Sequence, residues 1–290
     1  MRLGTRGSAL ALTQAEWVAQ RLDDEVEVVP MTTLGDRGAV FEDKSRWVSE
    51  LERGLLDGRI DIAVHSAKDV PTELAEGLEL VAIPARADAR DALCGAPGLT
   101  ALAPGARVGT SSVRRAAQLR ALRPDLEVVT LRGNVDTRLD KLARGDVDAL
   151  VLALAGLLRL GRDAEVGGVL DGLVPAAGQG ALALEARSGT IMPEVLAAVS
   201  DPDTTACVTA ERVLVHALGA SCNTPVGAHA QSLADGRLEL SAWVGLPDGS
   251  AWLADQVVAT PEQAGAVCAQ RLLAAGAQPL LDEAERVLAS

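Results

Sequence analysis

An internal match between two parts of the chain is the feature that most constrains its fold. Residues 4–8 correspond in outline to residues 109–112, and residues 58–64 correspond to residues 145–151. In each copy, an apolar strand pattern alternates with polar turns and helical patterns. We therefore expect an α/β protein with two similarly built, doubly wound domains that face one another as a clamshell. The match is short, so chance similarity between two strand-and-helix units is the alternative.

The segment 60–71 predicts where a site lies in this fold. Its first half alternates β-branched residues, as a strand does. Its second half is polar and ends at Val70-Pro71, which prevents a helix from continuing. Ligands of open α/β sheets bind outside the carboxyl ends of the strands, so we expect Lys68 and Asp69 to line a crevice. The alternative is a surface ion pair, which is common and weak.

Three predicted strand-to-helix junctions combine hydroxyls, free backbone N–H groups and arginines, all of which bind anions. The side chains are Arg6 and Ser8 in the first junction, Thr110, Ser111, Ser112, Arg114 and Arg115 in the second, and Arg132 and Arg138 in the third. A single such junction is better explained as a capped helix with solvated arginines. Three junctions at one cleft indicate a ligand with several carboxylates, because each guanidinium can pair with a carboxylate through two parallel hydrogen bonds.

The distribution of charge favours a small ligand over a polymer. The net charge of -13 disfavours a nucleic-acid partner, and one Phe with no Tyr leaves little for base stacking. Residues 107–144 nevertheless contain nine basic and four acidic side chains, for a local charge of +5. A basic pocket inside an acidic protein indicates a small polyanion.

The cysteines, histidines and apolar stretches indicate the compartment. Four cysteines lie far apart without a CxxC pair, which disfavours a disulfide framework and suits a reducing cytosol. The three histidines are also dispersed, so we expect no metal. The longest apolar stretch, 149–158, is too short for a bilayer, and no signal-peptide apolar region follows the first residues. We therefore predict a cytoplasmic protein with no membrane partner. Cys94 and Cys222 are predicted in loops, and either could be an attachment point or a spare thiol.

Changes in composition predict three domains. Residues 85–105 are rich in Ala, Pro and Gly and indicate a crossing between domains. The Gly/Pro turn at 173–180 indicates a crossing back, and the helices and short strands after Asp201 indicate a small α+β domain. The predicted domains are residues 1–86 with 178–200, residues 87–177, and residues 201–290.

The sequence resembles the porphobilinogen deaminase (hydroxymethylbilane synthase) family over nearly its whole length. The matching motifs are residues 4–12, 65–71, 108–115, 131–138, 155–161, 178–180 and the cysteine turn at 219–225. The resemblance implies three domains, the first two like periplasmic binding proteins. It also implies a monomeric transferase of haem and other tetrapyrrole biosynthesis. Such an enzyme joins four porphobilinogen units head to tail on a cysteine-linked dipyrromethane cofactor, losing ammonia each time, and releases hydroxymethylbilane.

Motif positions in the family imply roles for individual residues. Asp69 would be the catalytic acid/base, and Cys222 would carry the dipyrromethane through a thioether. Other residues would hold carboxylates of the cofactor, namely Lys68, Ser112, Arg114 and Arg115. The residues that would line the substrate and the growing chain are Arg6, Ser8, Thr110, Ser111, Arg132, Arg138, Arg159 and Gln179.

Two departures from the family pattern affect these expectations. The loop 41–46 replaces a Gly-Gly-Lys-Gly-type run, so the resemblance does not assign this loop the role of a lid over the cleft. Ala220-Ser221-Cys222 replaces Gly-Gly-Cys at the anchor turn. The rival hypothesis is a non-catalytic clamshell that binds small polycarboxylates. The Lys68-Asp69 pair and Cys222 count against it, because binding alone needs neither.

Overall fold

The computed structural model describes residues 1–22, 25–31, 45–220 and 224–289. Cys222 and most of the loop 41–46 lie outside these residues, so the expectations about them stay predictions. Among the described residues, no helix is long and apolar enough to span a membrane.

The first sheet collects strands from two separate parts of the chain. Its members are β1 (Arg2–Arg6), β2 (Glu27–Met31), β3 (Ile62–Ser66), β4 (Leu78–Ala82) and β10 (Leu182–Arg187). The strand order is β2-β1-β3-β10-β4, with β1 parallel to both neighbours and β10 antiparallel to both of its own. Helices on this sheet are α1 (Ala9–Ala19), α2 (Ser45–Leu56) and α6 (Pro193–Leu196).

The second sheet repeats this arrangement. Its members are β5 (Asp91–Cys94), β6 (Arg107–Thr110), β7 (Glu127–Thr130), β8 (Ala149–Ala153) and β9 (Gly168–Leu170). The strand order is β7-β6-β8-β5-β9, with β6 parallel to both neighbours and β5 antiparallel to both of its own. Its helices are α3 (Val113–Leu122), α4 (Val135–Ala143) and α5 (Leu154–Arg159).

The two sheets have the same order and register, which confirms the predicted pair of doubly wound domains. Leu3 lies opposite Ile62 in the first sheet, as Val108 lies opposite Ala149 in the second. Alternate residues of a strand point to opposite faces. Each sheet has an apolar cluster on both of its faces and is therefore buried on both sides. In the first sheet, Ile62 belongs to the apolar cluster around α1, whereas the adjacent Ala63 packs in the cluster around α2.

The predicted crossing at 85–105 is wrong in part, because it contains a strand of the second sheet. Strand β5 pairs with both β8 and β9 and is buried along its whole length. Cys94 therefore lies in a buried strand and not in the predicted loop. The return at 173–180 leads into β10 of the first sheet, as predicted. Each of the two sheets thus receives an antiparallel strand beside a crossing. The exact domain boundaries stay a prediction.

The last part of the chain forms the predicted small α+β unit. Its antiparallel sheet has the order β11-β12-β13. The strands and helices are β11 (Val226–Ser232), β12 (Leu238–Gly245), β13 (Trp252–Ala259), α7 (Pro202–Ala217), α8 (Pro261–Ala274) and α9 (Ala277–Ala289). Helix α7 begins at Asp201, whose carboxylate accepts a hydrogen bond from the Thr204 N–H group. The sequence pattern does not predict β11.

The hairpin between β12 and β13 packs directly on helix α3. The Arg120 guanidinium of α3 donates a hydrogen bond to the Pro247 carbonyl at 2.7 Å. Gly249 has a φ of +75°, and a Cβ atom there would lie 2.5 Å from the Ala121 nitrogen. Only glycine permits this approach, since it lacks a Cβ atom and accepts positive φ. The third unit therefore contacts the helix that carries Arg114 and Arg115.

We expect Gly249→Ala to destabilise the protein more than Gly236→Ala, its matched control. Gly236 lies in the neighbouring hairpin with a φ of +81°, but a Cβ atom added there would have no described atom within 4 Å. The control should therefore lose only about 1–2 kcal/mol of stability, which is what a positive φ costs a residue with a Cβ atom. Gly249→Ala should lose roughly 1–3 kcal/mol more through overpacking against α3. Urea unfolding followed by tryptophan fluorescence measures both, and equal losses would contradict the packing of the hairpin on α3.

Candidate active site

Asp69 lies where the sequence predicts it, directly after the carboxyl end of β3. A 3₁₀ turn spans Ala67–Asp69, and the Val70 N–H group closes it by donating to the Ala67 carbonyl at 3.2 Å. Lys68 and Asp69 are half-buried. The turn leaves both side chains at the edge of the sheet where α/β proteins bind ligands.

The return crossing packs tightly on this turn. Gly178 has a φ of +72°, and a Cβ atom there would lie 2.9 Å from the Ala67 carbonyl carbon and 3.0 Å from the Lys68 nitrogen. The Ala67 N–H group donates to the Ala181 carbonyl at 3.0 Å. The crossing and the turn that carries Asp69 are therefore one packed unit.

The guanidiniums of Arg114 and Arg115 share one buried carboxylate, that of Asp91. Arg114 Nη2 lies 2.9 Å from Asp91 Oδ2, and Arg115 Nη2 lies 2.8 Å from Oδ1. The Asp91 side chain is fully buried, and the two arginine side chains are nearly so. Burial opposes ionisation of Asp91, but the two guanidiniums outweigh burial and hold its pKa well below the ordinary value. The three groups together carry one net positive charge.

Gln179 connects this cluster to Lys68 of the first domain. Its Nε2 donates to Asp91 Oδ1 at 2.7 Å and to the Ala89 carbonyl at 2.6 Å. Its Oε1 accepts from Arg115 Nη2 at 3.3 Å and from Lys68 Nζ at 3.4 Å. Four of the predicted site residues are thus brought together, because Arg114 Nη2 also reaches Gln179 Oε1 at 3.5 Å.

Two further predicted arginines, Arg138 and Arg159, are half-buried near this cluster. Burial lowers the pKa of Arg138 to about 10, and repulsion from Arg115 contributes to the shift. Burial alone lowers the pKa of Arg159 to about 10. Arg159 Nη2 donates to the Gly180 carbonyl at 2.7 Å. A guanidinium with such a pKa still carries its charge at neutral pH, and both charges would be stabilised by a carboxylate ligand.

The remaining predicted residues occupy the strand-to-helix junctions. The Ser8 and Ser112 hydroxyls accept hydrogen bonds from the N–H groups of Ala11 and Arg115, and so cap α1 and α3. The buried Thr110 hydroxyl accepts from the Ser112 N–H group. Arg6 is half-buried, whereas Ser111 and Arg132 are exposed. The hydroxyl oxygens of Ser8, Thr110 and Ser112 thus accept hydrogen bonds within the fold, and their O–H groups can donate hydrogen bonds to a ligand.

The described cysteines are poor candidates for a covalent anchor. Cys94, Cys207 and Cys268 are all buried. Burial raises the pKa of the Cys94 thiol to about 11 and that of the Cys268 thiol to about 12. Burial also raises the pKa of Cys207. Because the thiolate is the nucleophile, these groups are unreactive, and the anchoring role stays a prediction for Cys222.

The side chains present fit a ligand with several carboxylates. The trio of Asp91, Arg114 and Arg115 retains one positive charge. Arg114 Nε is buried and has no hydrogen-bond partner in the described part of the chain. Leaving such a donor unpaired is unfavourable, so a ligand oxygen there would stabilise the site. This donor set suits the acetate and propionate groups of a dipyrromethane.

Comparisons with known proteins point to one family. The profile "Porphobilinogen deaminase, dipyromethane cofactor binding domain" matches residues 1–192, and "Porphobilinogen deaminase, C-terminal domain" matches residues 205–274. The porphobilinogen deaminase of Deinococcus deserti is 49% identical, with 97% of this chain and 98% of that protein covered. That of Thiobacillus denitrificans is 47% identical, with 97% and 98% covered. The chain belongs to the porphobilinogen deaminase family.

Membership confirms the resemblance stated from the sequence motifs. Among solved structures, a periplasmic substrate-binding protein of an ABC transporter from Coxiella burnetii is 14% identical, with 71% of this chain and 94% of that chain covered and a TM-score of 0.43.

Asp91 is the functional residue that the sequence reasoning missed. It lies in the segment interpreted as a crossing. One signal is present, an isolated acid at the head of the apolar run Asp91-Ala92-Leu93-Cys94. A carboxylate in a buried strand requires a partner, and the nearby arginines are the natural candidates.

We expect Asp91→Asn to destabilise the protein by roughly 3–5 kcal/mol, because it leaves two buried guanidiniums without their shared carboxylate. The matched control is Asp125→Asn, which removes the exposed partner of Arg123 and should leave stability nearly unchanged. Urea unfolding at neutral pH compares the two variants.

The pH dependence gives a second check on Asp91. Its pKa is lower in the folded protein, so its stabilising effect is fully present above the ordinary value of 3.8 and is lost as the pH falls through the folded pKa. The difference in unfolding free energy between wild type and Asp91→Asn should stay constant from neutral pH down to about pH 3.8, the ordinary pKa, and shrink at lower pH. A difference that shrinks as the pH rises from neutrality would contradict this assignment.

Proposed function

We propose that this chain is a porphobilinogen deaminase that condenses four porphobilinogen molecules into hydroxymethylbilane, with loss of ammonia at each addition. Family membership over nearly the full length supports this activity. The observation that carries it is the link through Gln179 between the turn of Asp69 and the buried pair Arg114 and Arg115. This link supports a site in which the Asp69 carboxylate acts beside arginines that bind the carboxylates of a ligand.

The residues proposed to hold the cofactor come from all three parts of the chain. Cys222 would form the thioether, and the side chains that would hold the acetate and propionate groups are Lys68, Ser112, Arg114 and Arg115. When bound, the dipyrromethane supplies the free pyrrole carbon to which the first substrate unit is joined. Arg114 and Arg115 are already oriented by Asp91, so little side-chain entropy is lost when they bind a carboxylate.

Asp69 is proposed as the acid/base of each addition. Its carboxyl group gives a proton to the aminomethyl nitrogen of porphobilinogen as the carbon–nitrogen bond breaks and ammonia leaves. The resulting carboxylate faces the cationic pyrrole that remains and stabilises it electrostatically. With the dipyrromethane in place, the carboxylate would take back the proton that is released when the new carbon–carbon bond forms.

The substrate and the growing chain would be held by a second set of side chains: Arg6, Ser8, Thr110, Ser111, Arg132, Arg138, Arg159 and Gln179. The half-buried positions of Arg138 and Arg159 favour this role, since pairing with a carboxylate would offset the desolvation that lowers their pKa values. We also propose that the protein is a cytoplasmic monomer. The dispersed cysteines support the reducing compartment.

A non-catalytic binder of polycarboxylates is the rival proposal. It explains the arginines, but a negative Asp69 beside them would weaken binding of a polyanion. The two hypotheses therefore differ in what they predict for Asp69 and for Cys222.

The anchor can be tested by the intact mass of the purified protein. We expect the mass of wild type to exceed that of the bare chain by two linked pyrrole units. Cys222→Ser should lose this increment, whereas Cys94→Ser, which changes a buried unreactive thiol, should retain it. An active wild-type enzyme at the bare chain mass would refute the assignment of a covalent cofactor.

Asp69→Asn separates the enzyme from the binder, because it keeps the shape of the side chain and removes its charge and acidity. We expect the variant to fold and to bind porphobilinogen, and to lose turnover by roughly 10²-fold or more. The measurement is ammonia release in a single turnover by protein whose mass shows that the cofactor is present. Release at the wild-type rate would remove Asp69 from the chemistry and leave the binder hypothesis standing.

A further inference from the structure

Helix α7 of the third unit packs against the segment that follows Asp69. Val208 of this helix is fully buried and belongs to the same apolar cluster as Ala67 and Val70. Arg212 lies four residues further along and therefore on the same face of the helix. The two side chains form a continuous contact between α7 and residues 67–72.

The Arg212 guanidinium binds three consecutive backbone carbonyls. Nη1 donates to the Val70 carbonyl at 3.1 Å. Nη2 donates to the Pro71 carbonyl at 2.6 Å and to the Thr72 carbonyl at 3.1 Å. The planar guanidinium has its donors fixed in one fork and can reach all three acceptors together, which a lysine ammonium cannot do with the same geometry. The first of these carbonyls belongs to the residue next to Asp69.

We propose that Arg212 is a positioning residue, which holds the backbone after Asp69 against α7 and thereby fixes where the Asp69 carboxylate points. This inference rests on the proposed role of Asp69. Pro71 lies in the middle of the bound segment and has a φ fixed by its ring. The segment therefore has little freedom left once its carbonyls are bound. A displacement of about 1 Å in a reacting group can reduce a rate by roughly 10²-fold.

The direction of α7 gives this contact a further consequence. The helix ends at Ala217, a few residues before Cys222 in the sequence. One helix therefore contacts the backbone that follows the proposed acid/base and precedes the proposed anchor in the sequence. Arg212 would thereby set the position of Asp69 relative to α7, the helix that precedes the proposed attachment residue of the cofactor.

The test compares Arg212→Lys with Arg271→Lys in the complete enzyme. Both changes keep the positive charge, but Arg271 is an exposed residue of α8 that pairs with Asp255. We expect Arg212→Lys to keep the cofactor mass increment, to keep the KM for porphobilinogen within about twofold, and to lower kcat by roughly 10-fold to 100-fold. Arg271→Lys should match wild type in all three. An unchanged kcat in Arg212→Lys, with a lower melting temperature, would show that Arg212 only stabilises the fold and would overturn the proposal.

Amide hydrogen exchange decides the result if Arg212→Lys fails to take up the cofactor. We expect peptides covering residues 68–73 to exchange faster than in wild type, while peptides from α8 and α9 are unchanged. Unchanged exchange at 68–73, or faster exchange throughout the third unit, would overturn the proposal. If wild type itself released no ammonia from porphobilinogen, the proposed function would fail, whatever the exchange data show for Arg212.

Discussion

A single buried carboxylate, that of Glu211 in α7, binds both crossings to the third unit. Its oxygens accept two hydrogen bonds from Arg86 at the start of the first crossing, at 2.8 Å and 2.7 Å. They also accept from the Gly178 N–H group in the return crossing and the Ala230 N–H group in β11, both at 2.7 Å. Burial opposes ionisation of Glu211, but Arg86 and His229 outweigh burial and lower the pKa of its carboxyl group. Both crossings are therefore fixed to the third unit at one point.

Asp91 is the corresponding fixed point within the cleft. Glu211 orients backbone, whereas Asp91 orients the guanidiniums of Arg114 and Arg115 that are proposed to bind the cofactor. A buried ion pair adds little net stability compared with an apolar core. The value of Asp91 is therefore better explained by orientation and charge balance. Without it, two adjacent buried guanidiniums would repel one another and lose the two acceptor oxygens that Asp91 provides.

The parts of this structure that sequence reasoning predicted are those encoded by local pattern. The alternation in β3, the Ser112 cap of α3 and the position of Asp69 after its strand all depend on neighbouring residues. Strand β5 was missed because four residues show too little periodicity, and its partners lie far away in the sequence. The contacts of Asp91 and Arg212 are tertiary, so the local sequence pattern does not identify their partners. The lid and the anchor turn stay predictions.

Gln179 shows how the two fixed points act on one site. It follows Gly178, whose N–H group is held by Glu211, and its own amide donates to Asp91. Its contacts to Asp91 and the Ala89 carbonyl are short, at 2.7 Å and 2.6 Å, whereas its contact to Lys68 is 3.4 Å. The side chain is therefore bound more firmly to the second sheet than to the Asp69 turn. The longer contact, that between Gln179 and Lys68, therefore limits how firmly the arginines are linked to the turn of the proposed acid/base. Arg212 holds the segment after Asp69 through hydrogen bonds that do not involve Gln179 or Lys68.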